Sequence, residues 1–215
     1  MKHAPRFTDR LHAGRELADV LRERDTIADV VLAIPRGGLP LGRVIADALD
    51  APLDVIVAKK IGAPGNAEYA IGAVASDGSV WKNEEAIRLS GANERYFQEQ
   101  RSREATNARQ KAEQYRQGRT ESVLTGRRVV IVDDGVATGS TLRACLMMIT
   151  QSQPESVIVA VPVGPPETIA ELAQITDEVV CLSTPHRFAG VGQFYDTFAQ
   201  VSDAEAIEYL QERSP

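Results

Sequence analysis

The chemistry-bearing feature of this chain is a pair of adjacent carboxylates followed by small and hydroxylic residues. Val129 to Thr141 reads V-V-I-V-D-D-G-V-A-T-G-S-T. Asp133 and Asp134 can accept hydrogen bonds from sugar hydroxyls or help to hold the shell of a Mg²⁺ ion. Thr138, Ser140 and Thr141 add hydroxyl donors, and Gly139 lets the backbone approach a bound group. Two elements must position these groups. Val129, Val130, Ile131 and Val132 form a β-branched run suited to a strand buried on both faces of a parallel sheet. Leu142, Cys145, Leu146 and Ile149 then recur at helical spacing. A loop that enters a helix presents free N–H groups and the positive end of the helix dipole, which suits a phosphate. A phosphate clamp beside a hydroxyl clamp describes a site for a ribose 5-phosphate. The bland alternative is an ordinary strand-turn-helix with acids at its turn.

Two rival phosphate loops fail on spacing. Gly139 is followed by Ser140 with no lysine, so the stretch is not a P-loop. Neither Gly135 to Gly139 nor Gly37 to Gly42 has the G-x-G-x-x-G spacing of a dinucleotide fingerprint. The stretch closely resembles the phosphoribosyl-diphosphate (PRPP) signature of the type I phosphoribosyltransferases: a hydrophobic strand, two acids, then a T-G-x-T loop. That resemblance implies that Asp133 and Asp134 hold the ribose hydroxyls and that Ala137, Thr138, Gly139, Ser140 and Thr141 wrap the 5-phosphate.

Composition bounds the rest. The 215 residues are 43% hydrophobic and 25% charged, an ordinary globular balance. The net charge of −6 argues against a nucleic-acid binder but not against an anionic substrate held by a locally positive loop. Two cysteines, Cys145 and Cys181, lie in apolar contexts and are expected as buried free thiols. The start of the chain lacks an apolar signal core, and no apolar run approaches the ~18 residues of a membrane span. A cytoplasmic protein without nucleic-acid or membrane partners is the expectation.

Before the acidic strand, the sequence predicts two βα steps, the pattern of a parallel sheet with crossover helices. Phe7 is expected to anchor the polar start, and Leu17, Val20 and Leu21 open the first helix. A strand at Val30 to Ile34 ends in Pro35-Arg36-Gly37-Gly38. A helix follows from about Pro40 to Leu49, and a second strand, Leu53 to Ala58, ends at Lys59 and Lys60. Arg36 offers a bidentate fork, and Gly37 and Gly38 permit unusual backbone angles and close approach to an anion; a plain turn is the alternative. Lysines that close a parallel strand point to the crevice where ligands bind, unless they are merely solvated. The resemblance implies that Arg36, Gly37, Gly38 and one of Lys59 and Lys60 bind pyrophosphate, with a cis peptide at Pro35–Arg36.

Residues 62 to 83 change character: a breaker-rich loop, then two short strands flanking Asp77-Gly78. By resemblance this is the flexible lid that closes over the diphosphate. Glu68 within it is a candidate for proton transfer to or from the base, with a solvated loop acid as the alternative. A polar helix is expected over 90–118, its seven Lys/Arg and four Asp/Glu between Gly91 and Arg119 mixed in order. Strands at Val157 to Val161 and Glu178 to Leu182 flank a helix at Ile169 to Ala173. The tail Ser183 to Phe198 carries Phe188, Phe194, Tyr195 and Phe198. By resemblance this is a small hood, with Phe188 and Tyr195 as base-stacking candidates; packing of the tail onto the sheet is the alternative. A capping helix is expected from Asp203 to Glu212.

The similarity runs over most of the chain and points to a bacterial subgroup carrying Lys59-Lys60-Ile61-Gly62-Ala63-Pro64-Gly65-Asn66 and Ile71-Gly72-Ala73-Val74. One departure bears on substrate. Hypoxanthine-guanine enzymes carry an acid just before the T-G pair; here that place is Ala137. The expected fold is α/β, a Rossmann-like parallel sheet of the type I phosphoribosyltransferase kind with a flexible β-hairpin loop and a hood. A single domain spans 1–215, with its core at about 14–182, the lid at about 62–83 and the hood at about 183–200. The implied activity is Mg²⁺-dependent transfer of 5-phosphoribosyl from PRPP to a purine or pyrimidine base, a salvage reaction that releases pyrophosphate. Asp133 and Asp134 are the metal-side acids, acting through ribose or water, and the chain is compatible with a homodimer. A non-catalytic PRPP-sensing regulator of the same fold is the alternative; a PRPP synthase-like homologue fits the length less well.

Overall fold

Apolar runs and their breakers set the element order. In this computed structural model, which describes residues 7–211, Asp9 opens the first helix by accepting a hydrogen bond from the His12 N–H at 2.7 Å. The elements are α1 (Arg10–Glu23), β1 (Val30–Ala33), α2 (Gly38–Ala48), β2 (Leu53–Val55), β3 (Ala58–Ala63), β4 (Asn66–Ala75) and β5 (Val80–Lys82). Then come α3 (Glu84–Ser90), α4 (Glu94–Arg116), β6 (Arg128–Val132), α5 (Ser140–Gln151), β7 (Ser156–Val163), α6 (Pro166–Leu172), β8 (Glu178–Ser183) and α7 (Asp203–Gln211). A 3₁₀ turn lies at Val191–Phe194.

The chain divides into two compact units. The first takes the described residues up to Val55, Tyr115–Thr138, and those from Gln153 on. Its sheet is all parallel in the order β2-β1-β6-β7-β8. Every residue of β1 is buried, as are Val129 to Val132 of β6, which is why these strands read as unbroken apolar, mostly β-branched runs. Phe7, fully buried, pairs with Tyr195 in an isolated parallel bridge and so stitches the start of the described chain to the tail.

The second unit comprises Ile56–Gln114 and Gly139–Ser152. Its sheet is antiparallel, in the order β3-β4-β5. Ile61, Ile71 and Val74 pack with Ala86 of α3 and Phe97 of α4 into a small core of their own. Asp77-Gly78 makes the expected turn between β4 and β5, with Gly78 at φ +93°. Thus the 62–83 insertion belongs to a larger body that also includes α3, most of α4 and α5.

Three elements differ from their sequence-based expectation. The second strand ends at Val55, and Lys59 and Lys60 lie inside antiparallel β3 rather than at the carboxyl end of a parallel strand. Leu53 to Ala58 is a continuous apolar run apart from Asp54, and such a run does not disclose where one sheet hands over to another. Just before the handover, buried Asp54 accepts from the Val55 N–H, from Arg116 and from the Ser122 N–H. The polar helix begins at Glu94, not at 90. It follows a separate helix, α3, which is capped by the Asn83 side chain and ended by Gly91 at φ +69°.

Candidate functional site

Ligand crevices of open parallel sheets form where successive connections leave in opposite directions. Here that point lies between β1 and β6: β1 leads to β2 on one side, and β6 is its neighbour on the other. The two strands end level, Ala33 opposite Val132, and the Ile34 N–H donates to the Val132 carbonyl at 2.9 Å. Asp133-Asp134 and Pro35-Arg36-Gly37-Gly38 therefore emerge side by side. The Pro35–Arg36 peptide is cis, as the resemblance implied.

Contact between the two segments is close enough to explain both glycines. A Cβ on Gly37 would lie 2.0 Å from Asp134 Oδ2 and 2.5 Å from its Cγ. One on Gly38 would lie 2.6 Å from the Val132 carbonyl oxygen. Gly37 has φ −62° and ψ −32°, ordinary helical angles, so space rather than unusual dihedrals demands glycine there. Gly139 is the opposite case. It caps α5 at φ +73° and brings no side chain to meet the first-turn N–H groups.

Burial raises the carboxyl of Asp133 well above the usual carboxylate range, and the neighbouring Asp134 adds to the rise. The Asp134 N–H donates to Asp133 Oδ1 at 2.8 Å and partly offsets it. Asp134 is also raised by burial, but Arg10 opposes that. Arg10 Nε donates to Asp134 Oδ2 at 2.8 Å, both side chains being largely buried. Arg10 also donates to the Ala199 carbonyl at 2.6 Å, and its guanidinium carbon sits 3.8 Å from the centre of the Phe198 ring. Nothing local marks Arg10 in the sequence, because its partner lies 124 positions away. A second contact the sequence did not disclose holds Arg36. Its guanidinium lies 3.7 Å from Asp203 at the start of α7, and the Tyr115 hydroxyl donates to the same Asp203 oxygen at 2.8 Å.

Of the hood candidates, Tyr195 takes the packing alternative. It is 4% exposed, its ring lies between Phe7 (5.4 Å) and Phe198 (4.9 Å), and its hydroxyl donates to the Asp134 carbonyl at 2.6 Å. No ring face is left for a base, so its bearing on the site is support of Asp134. Phe188 is half-buried and packs on Phe194 at 5.3 Å. Ala137 and Thr138 are exposed, and the Ala137 carbonyl accepts from Thr168 at 2.9 Å. Ser140, buried, and Thr141 begin α5.

In the second unit, Lys60 and Glu68 form an ion pair at 2.9 Å with Glu68 92% exposed, so Glu68 is presented on the β3–β4 hairpin as a solvated acid. Lys59 lines a polar groove of about 300 Å³ together with Glu104, Asn107, Gln110, Lys111 and Gln114 of α4. Among the described residues, no group of three or more His, Cys, Asp or Glu side chains converges to hold a metal unaided. Nor is any described helix long and apolar enough to cross a membrane.

The sequence model of the phosphoribosyl transferase domain matches residues 7–195. The chain belongs to this family. A Mycobacterium tuberculosis protein named "Putative phosphoribosyl transferase" is 41% identical over 204 residues, which is 95% of this chain and 46% of that protein. The chain thus spans about half the length of the curated relatives it matches. The crystal structure of TT1426 from Thermus thermophilus superposes with a TM-score of 0.82 at 41% identity, covering 98% of this chain and all of that one. Within this phosphoribosyltransferase-family chain, the match runs from Phe7, in its bridge with the tail, to Tyr195.

Proposed function

We propose that this chain transfers a 5-phosphoribosyl group from PRPP to a nitrogenous base and releases pyrophosphate. The observation that carries the reading is the abutment of the Asp133-Asp134 strand tip and the Arg36-Gly37-Gly38 loop at the switch point of the sheet. A hydroxyl-accepting wall there faces a phosphate-accepting one. In the reaction, the bond from C1 of the ribose to the diphosphate oxygen breaks and a bond from C1 to a base nitrogen forms. The bonding electrons leave with the diphosphate, and the base loses its nitrogen-bound proton. The transition state has oxocarbenium character, so the chain's task is to position the sugar and stabilise the departing charge.

Asp133 and Asp134 accept from the ribose hydroxyls, and Ala137 to Thr141 wrap the 5-phosphate at the start of α5. Anchoring the phosphate, remote from the bond that breaks, aligns C1 with the base. Arg36 and the backbone of Gly37-Gly38 receive the diphosphate. Phe188 offers an apolar face to the base. The two acids suit a hard, oxygen-seeking Mg²⁺ held through ribose hydroxyls or water. When bound, that ion neutralises the charge of the diphosphate oxygens.

A screen of nucleobases with PRPP and Mg²⁺, reading pyrophosphate release, tests the proposal. Release should depend on one base class and vanish in the Asp133→Asn, Asp134→Asn double variant. Retained turnover in that variant would overturn the roles of the acids. PRPP binding without pyrophosphate release under any base would favour the regulatory reading instead.

A further inference from the structure

We infer that Arg10 is a positioning residue for sugar binding: it fixes the Asp134 carboxylate for the ribose hydroxyls and ties that carboxylate to the tail beside it. The inference rests on the PRPP reading of the site. It goes beyond that reading because Arg10 belongs to neither the acidic loop nor the Arg36 turn.

Three contacts hold the guanidinium at once. Nε donates to Asp134 Oδ2 at 2.8 Å, Nη1 donates to the Ala199 carbonyl at 2.6 Å, and the guanidinium carbon lies 3.8 Å over Phe198. A planar fork with fixed donor directions can satisfy all three; a lysine ammonium on a flexible stem cannot. Asp134 is held from the other side as well. Its carboxylate occupies the space that a side chain on Gly37 would fill, and the Tyr195 hydroxyl bonds its backbone carbonyl at 2.6 Å. Tyr195 in turn stacks on Phe198 at 4.9 Å, which closes a ring of contacts through Asp134, Arg10, Phe198 and Tyr195. Asp134 Oδ1 is the oxygen that Arg10 does not engage. A carboxylate held this way meets a sugar hydroxyl without losing freedom of its own, which is where preorganisation gains affinity.

The ring also explains an otherwise idle feature. The 195–199 segment has little regular structure, yet both ends of its contact network terminate on one site acid. Arg10 donates to it from the first turn of α1, whose cap, Asp9, fixes where that turn begins.

The test compares wild-type protein with Arg10→Gln and Arg10→Lys by calorimetric titration with PRPP, ribose 5-phosphate and pyrophosphate, each with Mg²⁺. Thermal unfolding of each variant is measured in parallel. Phe198→Leu removes the stacking face without touching the carboxylate, and keeps the test open if the Arg10 variants do not fold. Arg10→Gln should weaken PRPP and ribose 5-phosphate at least tenfold and leave pyrophosphate affinity within twofold. Arg10→Lys should recover part of the loss, and Phe198→Leu should shift the two sugar phosphates in the same direction by less. Equal loss for all three ligands would mark Arg10 as a plain structural clamp and overturn the inference, as would unchanged sugar affinity in folded Arg10→Gln. If wild-type protein binds none of the three, the PRPP reading fails first and takes this inference with it.

Discussion

Replacing Gly37 by alanine is the sharpest single test of how the site is built. By dihedral angle the change should help, since φ −62° and ψ −32° suit alanine, and such replacements usually stabilise by ~0.4–1 kcal/mol. By space it should not. The new methyl would lie 2.0 Å from Asp134 Oδ2, whereas ordinary contact begins at 3.4 Å, so the carboxylate or the loop must retreat by about 1.4 Å. The carboxylate has Arg10 at 2.8 Å on one side and cannot retreat without giving up that bond. Overpacking of this kind costs ~1–3 kcal/mol, against which the backbone gain is smaller, so the net loss of stability is ~1–2 kcal/mol. Binding should suffer more. Hydrogen bonds to a charged group are worth ~1.5–3 kcal/mol each, and losing one from Asp134 to a ribose hydroxyl raises the Kd for PRPP ~10–100-fold. The assay is titration with PRPP and Mg²⁺ alongside thermal unfolding, with Gly126→Ala as the control. Gly126 sits at φ +67° with nothing near its missing Cβ, so that change should cost ~1 kcal/mol from the backbone alone and leave affinity unchanged. A Gly37→Ala protein with a raised Tm and wild-type PRPP affinity would refute the wedge.

Further outcomes follow from other contacts. Arg116→Met strands the carboxylate of Asp54, which is 5% exposed, and should lower stability by ~3 kcal/mol in urea unfolding; a loss below ~1 kcal/mol would show that the Val55 and Ser122 N–H donors suffice. Gly139→Ala forces a side chain into φ +73° at the start of α5 and should weaken ribose 5-phosphate binding severalfold while costing ~1 kcal/mol, read by titration and Tm. Burial pushes the Cys181 thiol up to about 11, leaving on the order of a thousandth of it as thiolate at pH 8. With Cys145 fully buried, an aromatic disulfide reagent should label the native protein slowly at pH 8, faster as pH rises toward that value, and rapidly once unfolded. Immediate labelling of the native protein at pH 8 would contradict this burial.

How much was legible follows from the range of each interaction. The acidic strand, its glycine loop and the α5 start are contiguous, and their types and spacing disclosed both the elements and the chemistry they could support. Arg36-Gly37-Gly38 was legible as a partner segment, but what demands its glycines was not: they make room for Asp134 and Val132 of the neighbouring strand end, a contact no local pattern discloses. The lysines were misplaced because an apolar run hides a change of sheet, and Lys59 and Lys60 sit on a strand that pairs antiparallel with β4. Tyr195 read as a base platform because aromatics in a glycine-rich tail fit either use. Only its burial and its bond to the Asp134 carbonyl decide for packing. Arg10 carried no signal and Asp203 only that of a helix start, since each is joined to the site by proximity in space across long stretches of sequence.

That last pair has a practical consequence for anyone cutting the gene. A fragment trimmed to the strands, from about residue 14 to about 182, would keep every residue of the recognisable signature and nearly all of the parallel sheet. It would also discard Arg10, Asp203, and both halves of the Phe7–Tyr195 bridge. Such a truncate would lack both the guanidinium that holds Asp134 and buried residues at either end, so its inactivity would say nothing against the motif.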